Sequence, residues 1–88
     1  METVIEVKPL DNYVIWVLFA DNFSTTINIK PFISTGISTR LLDLDYFKQV
    51  KIDEFGGISW NNGYDFCPNY LRELSLKQTE NNYKNITI

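Results

Sequence analysis

Residues 56–71 constrain the fold more than any other stretch of the sequence. They contain the Gly56-Gly57 pair, which suits a tight turn, then Trp60, and then Asp65 and Pro68, residue types found where helices begin. This order predicts the end of a β-hairpin, an irregular corner and the start of a last helix. Glycine, proline and a capping acid are residue types that turns and helix starts require. The stretch therefore indicates a structural role rather than a catalytic one.

The length of 88 residues predicts one domain with a single core. Hydrophobic residues make up 44% of the chain and aromatic residues 15%, which are values of a globular protein rather than of a disordered one. We predict a single domain over residues 1–79. The polar, asparagine-rich composition beyond it predicts a flexible tail over residues 80–88.

Residues 13–19 form the longest apolar run, Tyr-Val-Ile-Trp-Val-Leu-Phe. β-Branched and aromatic side chains fill both alternate sets of positions, and turn residues flank the run, so it predicts a strand covered on both faces. We therefore expect Trp16 to be largely buried on a central strand. Residues 20–23, Ala-Asp-Asn-Phe, can close a tight hairpin, because Asp and Asn tolerate a positive φ.

Two further strands are predicted beside this run. Residues 3–8 alternate between apolar and charged side chains, which predicts an edge strand with Ile5 and Val7 on its buried face. Residues 24–29 alternate in the same way and follow the hairpin directly. The three segments together predict an antiparallel meander.

The middle of the chain predicts smaller elements. Pro31 ends the third strand, because proline lacks the N–H that a β-ladder needs. Residues 43–47 predict a short helical turn. The alternation from Val50 onward and the Gly56-Gly57 turn predict a second short hairpin that returns the chain into residues 58–60.

The start of the last helix is open between two registers. If Cys67 is the N-cap, Pro68 is the first helical residue; if Asp65 is the N-cap, its carboxylate can accept the N–H of Cys67. In either register we predict that Asp65 is structural and accepts backbone N–H groups. An apolar stripe is expected to pack the helix on the sheet: Phe66, Tyr70, Leu71 and Leu74. The fold class that follows is α+β.

Charge and composition exclude several classes of function. The formal net charge is −3 and the 8 Lys and Arg residues form no cluster, so we do not expect direct binding to nucleic acid. One cysteine permits no internal disulfide and the N-terminus has no signal-peptide pattern, which together indicate a cytoplasmic protein. The run 13–19 is far shorter than the roughly 20 residues that cross a bilayer as a helix, so no membrane segment is expected.

The absence of histidine excludes enzymes that depend on a histidine base or on a Ser-His or Cys-His pair. No cofactor or metal is expected either. A small enzyme would have to use the thiol of Cys67 or the carboxylates of Asp43, Asp45 and Asp65. Helix capping and solvation explain the carboxylates better, and burial beneath Trp60 as a small apolar side chain explains Cys67 better.

Three motifs, in this order, resemble a known family. They are Phe19-Ala-Asp21-Asn22, the Leu42-Asp43 pair followed by Phe47, and Trp60-x-x-Gly63-x-Asp65-x-x-Pro68-x-x-Leu71. Over residues 4–76 the chain resembles the small prokaryotic family called domain of unknown function 2442, although Asn22 stands where that family usually has glycine. The resemblance implies an α+β domain without assigned catalytic residues. It also implies pairing with a small neighbouring protein, in arrangements similar to toxin–antitoxin operons.

The sequence therefore favours a non-enzymatic protein-interaction module, an antitoxin-like or regulatory partner of a small neighbouring protein, over a small enzyme. Its predicted contact surface is an aromatic corner with one acid, expected to hold a small basic partner protein: Trp60, Tyr64, Asp65, Phe66 and Tyr70. Of the two tryptophans, we expect Trp16 in the core and Trp60, beside a loop, in the contact surface.

A homodimer is also predicted, through a sheet edge or through the aromatic corner, because the first strand and either hairpin leave unpaired sheet edges. The terminal residues 83–88 alternate weakly between apolar and polar side chains and could add a strand to such an edge. A disordered end is the favoured interpretation of the same residues.

Overall fold

The computed structural model describes the backbone of residues 3–86 and the side chains of residues 3–79. Two three-stranded antiparallel sheets and a C-terminal helix make up the fold, which confirms the predicted α+β class. The strands are β1 (Val4–Pro9), β2 (Val14–Phe19), β3 (Ser24–Asn28), β4 (Lys51–Ile52), β5 (Ile58–Ser59) and β6 (Asp65–Phe66). The helices are α1 (Leu44–Phe47) and α2 (Pro68–Ile86), and 3₁₀ turns lie at Asp11–Tyr13, Lys30–Phe32 and Gly36–Leu42.

β2 is the central strand of the first sheet, whose order is β1-β2-β3. Successive side chains of a strand point to opposite faces. Ile15, Val17 and Phe19 are fully buried and form part of the core. Trp16 lies on the opposite face, mostly buried but outside the core. The predicted central strand is confirmed, with Trp16 largely buried on it. The expectations that Trp16 belongs to the core and that the strand is covered on both faces are wrong, because the core covers one face of β2 and not the other.

A β-bulge in β1 changes which of its side chains face the core. Val4 pairs with Phe19, and the next pair is Glu6 with Leu18, so Ile5 is an extra residue in the ladder. Val4 is consequently buried, whereas Ile5 is 54% exposed. The prediction that Ile5 faces the core is therefore wrong. Simple alternation failed here because the bulge shifts the register by one residue.

The tight turn predicted between β2 and β3 is confirmed. Asn22 adopts a φ of 72°, and its N–H donates to the carbonyl of Phe19 at 3.0 Å. The N–H of Phe19 in turn donates to the carbonyl of Phe23 at 2.8 Å. Asparagine tolerates this left-handed conformation better than most residues, which explains how the turn forms without glycine.

The second hairpin, β4–β5, is also confirmed, and both of its glycines are required by close backbone packing. Gly56 has a φ of 83°, and a Cβ there would lie 2.7 Å from Cγ2 of Thr3. A Cβ on Gly57 would overlap the carbonyl oxygen of Phe66 on the neighbouring strand. The pair thus lets the hairpin tip lie against the N-terminus of β1 and against β6.

Both sheets and α2 contribute side chains to one core. Its largest member is Trp60, which is 1% exposed. The indole N–H of Trp60 donates to the carbonyl oxygen of Phe47 at 2.9 Å, so its one polar group is satisfied in the interior. Phe47 ends the predicted helical turn, α1, whose N-cap is Asp43 as expected from capping preferences: its Oδ1 accepts the N–H of Asp45 at 3.0 Å.

Helix α2 begins at Pro68, and the carbonyl of Cys67 accepts the N–H of Leu71 at 3.0 Å. This is the register in which Cys67 is the N-cap. The alternative, Asp65 as N-cap, is wrong, because Asp65 belongs to β6. Leu71 and Leu74 of the predicted stripe are buried, whereas Tyr70 is 40% exposed and Phe66 lies on β6 rather than on the helix, so the stripe is confirmed only in part.

The backbone of α2 continues to Ile86. Residues 80–86 of the expected tail are thus part of the helix, and residues 87 and 88 lie outside the described residues. The extent of the domain and the flexibility of its end stay predictions.

Candidate interaction surfaces

Two of the five predicted contact residues lie in the core. Trp60 and Phe66 are buried, with their ring centroids 6.3 Å apart in an edge-on arrangement. Neither can touch a partner without opening the core, so the prediction that Trp60 is a contact residue is wrong. The aromatic corner is mainly a packing feature.

The two tyrosines of the corner lie at the boundary of the core. The hydroxyl of Tyr64 donates to the carbonyl of Phe32 at 3.0 Å. Burial, with a smaller contribution from the neighbouring Tyr70, raises the pKa of the Tyr64 hydroxyl. Tyr70 is 40% exposed and stacks on Phe66 at 6.1 Å between ring centroids. Only Tyr70 therefore presents a substantial apolar surface to solvent.

Asp65, the acid of the predicted corner, faces away from the core on β6. It is exposed and accepts no hydrogen bond from the described residues, so the prediction that it binds backbone N–H groups is wrong. The strand pairing places Ser59 beside Asp65 and Lys51 beside Ser59. Directly paired residues share a face, so these three side chains form a polar row across the second sheet.

A groove of about 450 Å³ includes this polar row and the tip of the β4–β5 hairpin. We call it the hairpin groove. Its lining includes Lys51, Asp53, Glu54, Phe55, Ser59 and Asp65. Three of them carry carboxylates and one carries an ammonium group, which makes the groove predominantly negative.

Phe55 lies at the tip of the hairpin and is 75% exposed. The turn beneath it is held by Asp53, whose Oδ1 accepts the N–H of Phe55 at 2.9 Å and that of Gly57 at 3.1 Å. The backbone of Asp53 adds bonds to Gly56 and Gly57 at 3.2 and 3.0 Å. A large aromatic side chain is thus presented to solvent from an ordered turn.

Sequence reasoning missed Phe55 as a surface residue. A usable signal was present, because Phe55 directly precedes the Gly56-Gly57 turn. A side chain at the tip of a two-strand hairpin extends beyond the sheet and has little core to reach.

A second groove of about 450 Å³ lies beside the 3₁₀ segment Gly36–Leu42. Its polar groups are engaged within the chain. The hydroxyl of Tyr46 accepts the N–H of Asn62 at 2.7 Å, and the side-chain amide of Asn62 donates to the carbonyl of Ile37 at 2.9 Å. The Arg40 guanidinium covers the ring of Tyr46 at 4.9 Å.

The residues considered for a small enzyme do not converge. Cys67 is exposed at the start of α2, so its predicted burial beneath Trp60 is wrong. Asp43 and Asp45 lie at the start of α1 and line neither groove, whereas Asp65 lines the hairpin groove. Within residues 3–86 no group of three or more His, Cys, Asp or Glu residues is arranged to hold a metal ion.

Residues 4–76 match the family described as protein of unknown function (DUF2442). The chain belongs to the DUF2442 family. No curated protein and no solved structure shows a significant match to it. Among the helices described for this DUF2442 protein, none is long and apolar enough to cross a membrane.

The Phe19-Ala-Asp21-Asn22 motif of this DUF2442 domain fastens the first hairpin to α2. Asp21 makes a two-pronged contact with Arg72, with Oδ1–Nη1 and Oδ2–Nη2 distances of 3.2 and 3.0 Å. The guanidinium of Arg72 also lies over the rings of Phe23 and Phe19, 4.1 and 5.0 Å from their centroids. Hydrogen bonds from Arg72 and from the N–H of Phe23 hold the pKa of the Asp21 carboxyl below its ordinary value.

Proposed function

We propose that this chain is a non-enzymatic protein-interaction module that holds a small basic protein in the hairpin groove. The observation that supports the proposal best is Phe55, which is 75% exposed on a turn ordered by Asp53. Interfaces concentrate their binding energy in a few aromatic and arginine anchors. An aromatic anchor that is already ordered loses little entropy when it binds.

The charge of the groove supports a basic partner. Glu54 and Asp65 are exposed carboxylates that line the same groove as Phe55, and the chain as a whole carries a formal charge of −3. Complementary charge around an apolar anchor accelerates association and disfavours acidic partners. The same negative charge disfavours the phosphate backbone, so we do not extend the proposal to nucleic acid.

We place the module in the cytoplasm of a prokaryotic cell, as an antitoxin-like or regulatory partner of a protein encoded beside it. A single, unpaired cysteine is compatible with a reducing compartment. The neighbouring protein is the partner that the family resemblance implies. A small basic product of the adjacent gene fits the charge of the hairpin groove.

The test is to purify the chain with the product of the adjacent gene and to measure the affinity of variants by calorimetry. Phe55→Ala should weaken the complex by about 30-fold or more, as expected for an interface anchor. Asp65→Lys should weaken the complex and make its affinity less dependent on the salt concentration. Leu76→Ala is a matched control, because Leu76 is also exposed and apolar but lies on α2.

Two results would contradict the proposal. If no complex forms with the adjacent gene product, the proposed partner is wrong. If a complex forms and the Phe55 and Asp65 variants bind with unchanged affinity, the hairpin groove is not the site. Asp65→Ala should change the free energy of unfolding by less than about 0.5 kcal/mol, so a loss of binding in Asp65 variants would not reflect unfolding.

A further inference from the structure

The face of the first sheet that points away from the core carries an apolar centre. Val14, Trp16 and Leu18 alternate with the buried residues of β2, and none of the three belongs to the core or packs against it. All three stay partly exposed. An antiparallel sheet with one solvated face normally carries polar residues there. Three apolar residues in a row on that face depart from this pattern.

Two cross-strand rows define this surface, which we call the outer face. In one row Lys8, Trp16 and Thr26 lie side by side on β1, β2 and β3. In the other row Glu6, Leu18 and Ser24 lie side by side in the same strand order. The ammonium group of Lys8 lies 5.3 Å from the ring centroid of Trp16 and 3.2 Å from Oε2 of Glu6.

We propose that the outer face is an interface between two copies of this chain. The two-fold axis of this dimer lies between the two facing sheets, perpendicular to the strands and midway between the two rows. It therefore places each row of one copy against the other row of the second copy. Trp16 then packs on Leu18, Lys8 faces Glu6, and Thr26 faces Ser24, each from opposite copies. The face is thus complementary to itself in apolar shape, in charge and in hydroxyl groups, which is the requirement of an isologous dimer.

The bulge in β1 leaves a further exposed apolar residue in the strand that borders the outer face. Ile5 is the extra residue of the ladder, next to Glu6 and opposite the end of β2 that carries Leu18, and it is 54% exposed.

The size of the face sets the expected strength of the dimer. Three strands about 4.8 Å apart, each contributing about 17 Å of length, give about 500 Å² in total for two copies. This is below the roughly 1,000 Å² of a stable interface, so the association should be weak and detectable only at high concentration. The interface is independent of the hairpin groove, which belongs to the second sheet.

The decisive experiment is sedimentation equilibrium of the full chain up to about 1 mM, combined with a charge exchange. The wild-type chain should dimerise. Lys8→Glu and Glu6→Lys should each weaken the dimer by about tenfold or more, because each places like charges opposite one another twice. The double variant, with both substitutions, should restore dimerisation.

Further variants separate the outer face from the rest of the surface. Thr26→Arg, at an exposed position of β3, should abolish the dimer by bulk, whereas Thr79→Arg on α2 adds the same charge elsewhere and should not. Phe55→Ala should leave the dimer intact, so failure of this proposal is distinguishable from failure of the groove proposal. A wild-type chain that stays monomeric overturns the interface. A dimer unaffected by Thr26→Arg or not restored by the charge exchange overturns it as well.

Discussion

Asp21 shows how one carboxylate can join two elements that are distant in sequence. It lies in the turn between β2 and β3, and it binds Arg72 of α2 through both carboxylate oxygens. Two-pronged contacts between arginine and a carboxylate are more directional than a simple charge pair. The acid of the Phe-x-Asp motif thus makes a tertiary contact between the first hairpin and α2.

We predict that Asp21→Asn lowers the melting temperature at neutral pH and lowers it progressively less in acid. The pKa of Asp21 is lowered from 3.8 in the folded chain, so its contribution to stability is present above that pH. It is lost as the pH falls through the lower, folded-state value. Thermal melts of both chains from pH 7 to pH 2 should converge below a pH of about 3.8.

The matched control for this prediction is Glu73→Gln. Glu73 pairs with Lys77 at 3.4 Å on the exposed side of α2, and exposed helix pairs of this kind contribute little. The Glu73 variant should melt close to the wild-type temperature at neutral pH. A constant difference between wild type and Asp21→Asn across the whole pH range would contradict the assigned role of the Asp21 charge.

The two edge strands of the first sheet, β1 and β3, are protected from pairing with a further strand by different features. β1 carries a bulge at Ile5 and ends at Pro9, and both features disfavour pairing with a further strand. β3 pairs with β2 without a bulge, but the backbone groups of its last residue are hydrogen-bonded to a side chain of α2. The amide of Gln78 accepts the N–H of Asn28 at 2.9 Å and donates to the carbonyl of Asn28 at 3.0 Å.

We predict that Gln78→Ala lowers the free energy of unfolding by about 1 kcal/mol, because two partly exposed hydrogen bonds are lost. The N–H of Asn28 should exchange with solvent faster in the variant, which hydrogen exchange measured by NMR can resolve for that residue. Gln78→Glu keeps the acceptor and loses the donor, so it should show an intermediate effect. Unchanged exchange at Asn28 in Gln78→Ala would contradict the contact.

At the scale of the whole molecule, the two sheets present two separate surfaces. The first sheet exposes the outer face around Trp16, and the second exposes the hairpin groove with Phe55. Because they belong to different sheets, a dimer through the first leaves the second available to a partner. The proposed assembly would then contain two copies of this chain and two copies of the basic protein.

We predict that a chain ending after Thr79 keeps the fold, with a melting temperature within about 5 °C of the full-length value. The described contacts that fasten α2 to the first sheet end at Gln78, which lies within the shortened chain. A chain ending after Leu76 lacks Gln78 and should melt clearly lower. Equal loss of stability in both truncations would show that residues 80–88 belong to the folded domain.

Local features of the sequence determined much of this architecture. The three strands of the meander, the turn at Asn22, the helical turn at α1 and the Gly56-Gly57 hairpin follow from alternation and from backbone preferences. These preferences act within a few residues, so the elements that they determine can be predicted from the local sequence without knowing the rest of the fold. The family resemblance likewise depended on ordered local motifs and is confirmed over residues 4–76.

The tertiary structure alone decided which apolar side chains became core and which became surface. Both faces of β2 are apolar in sequence, and only the position of the core shows that Trp16 is outside it. Trp60, predicted as a contact residue, is enclosed by Phe47, Tyr64 and Phe66, and Phe55 is left exposed at the hairpin tip. Burial depends on the packing of segments distant in the chain, and the alternation of side chains within one strand carries no information about that packing.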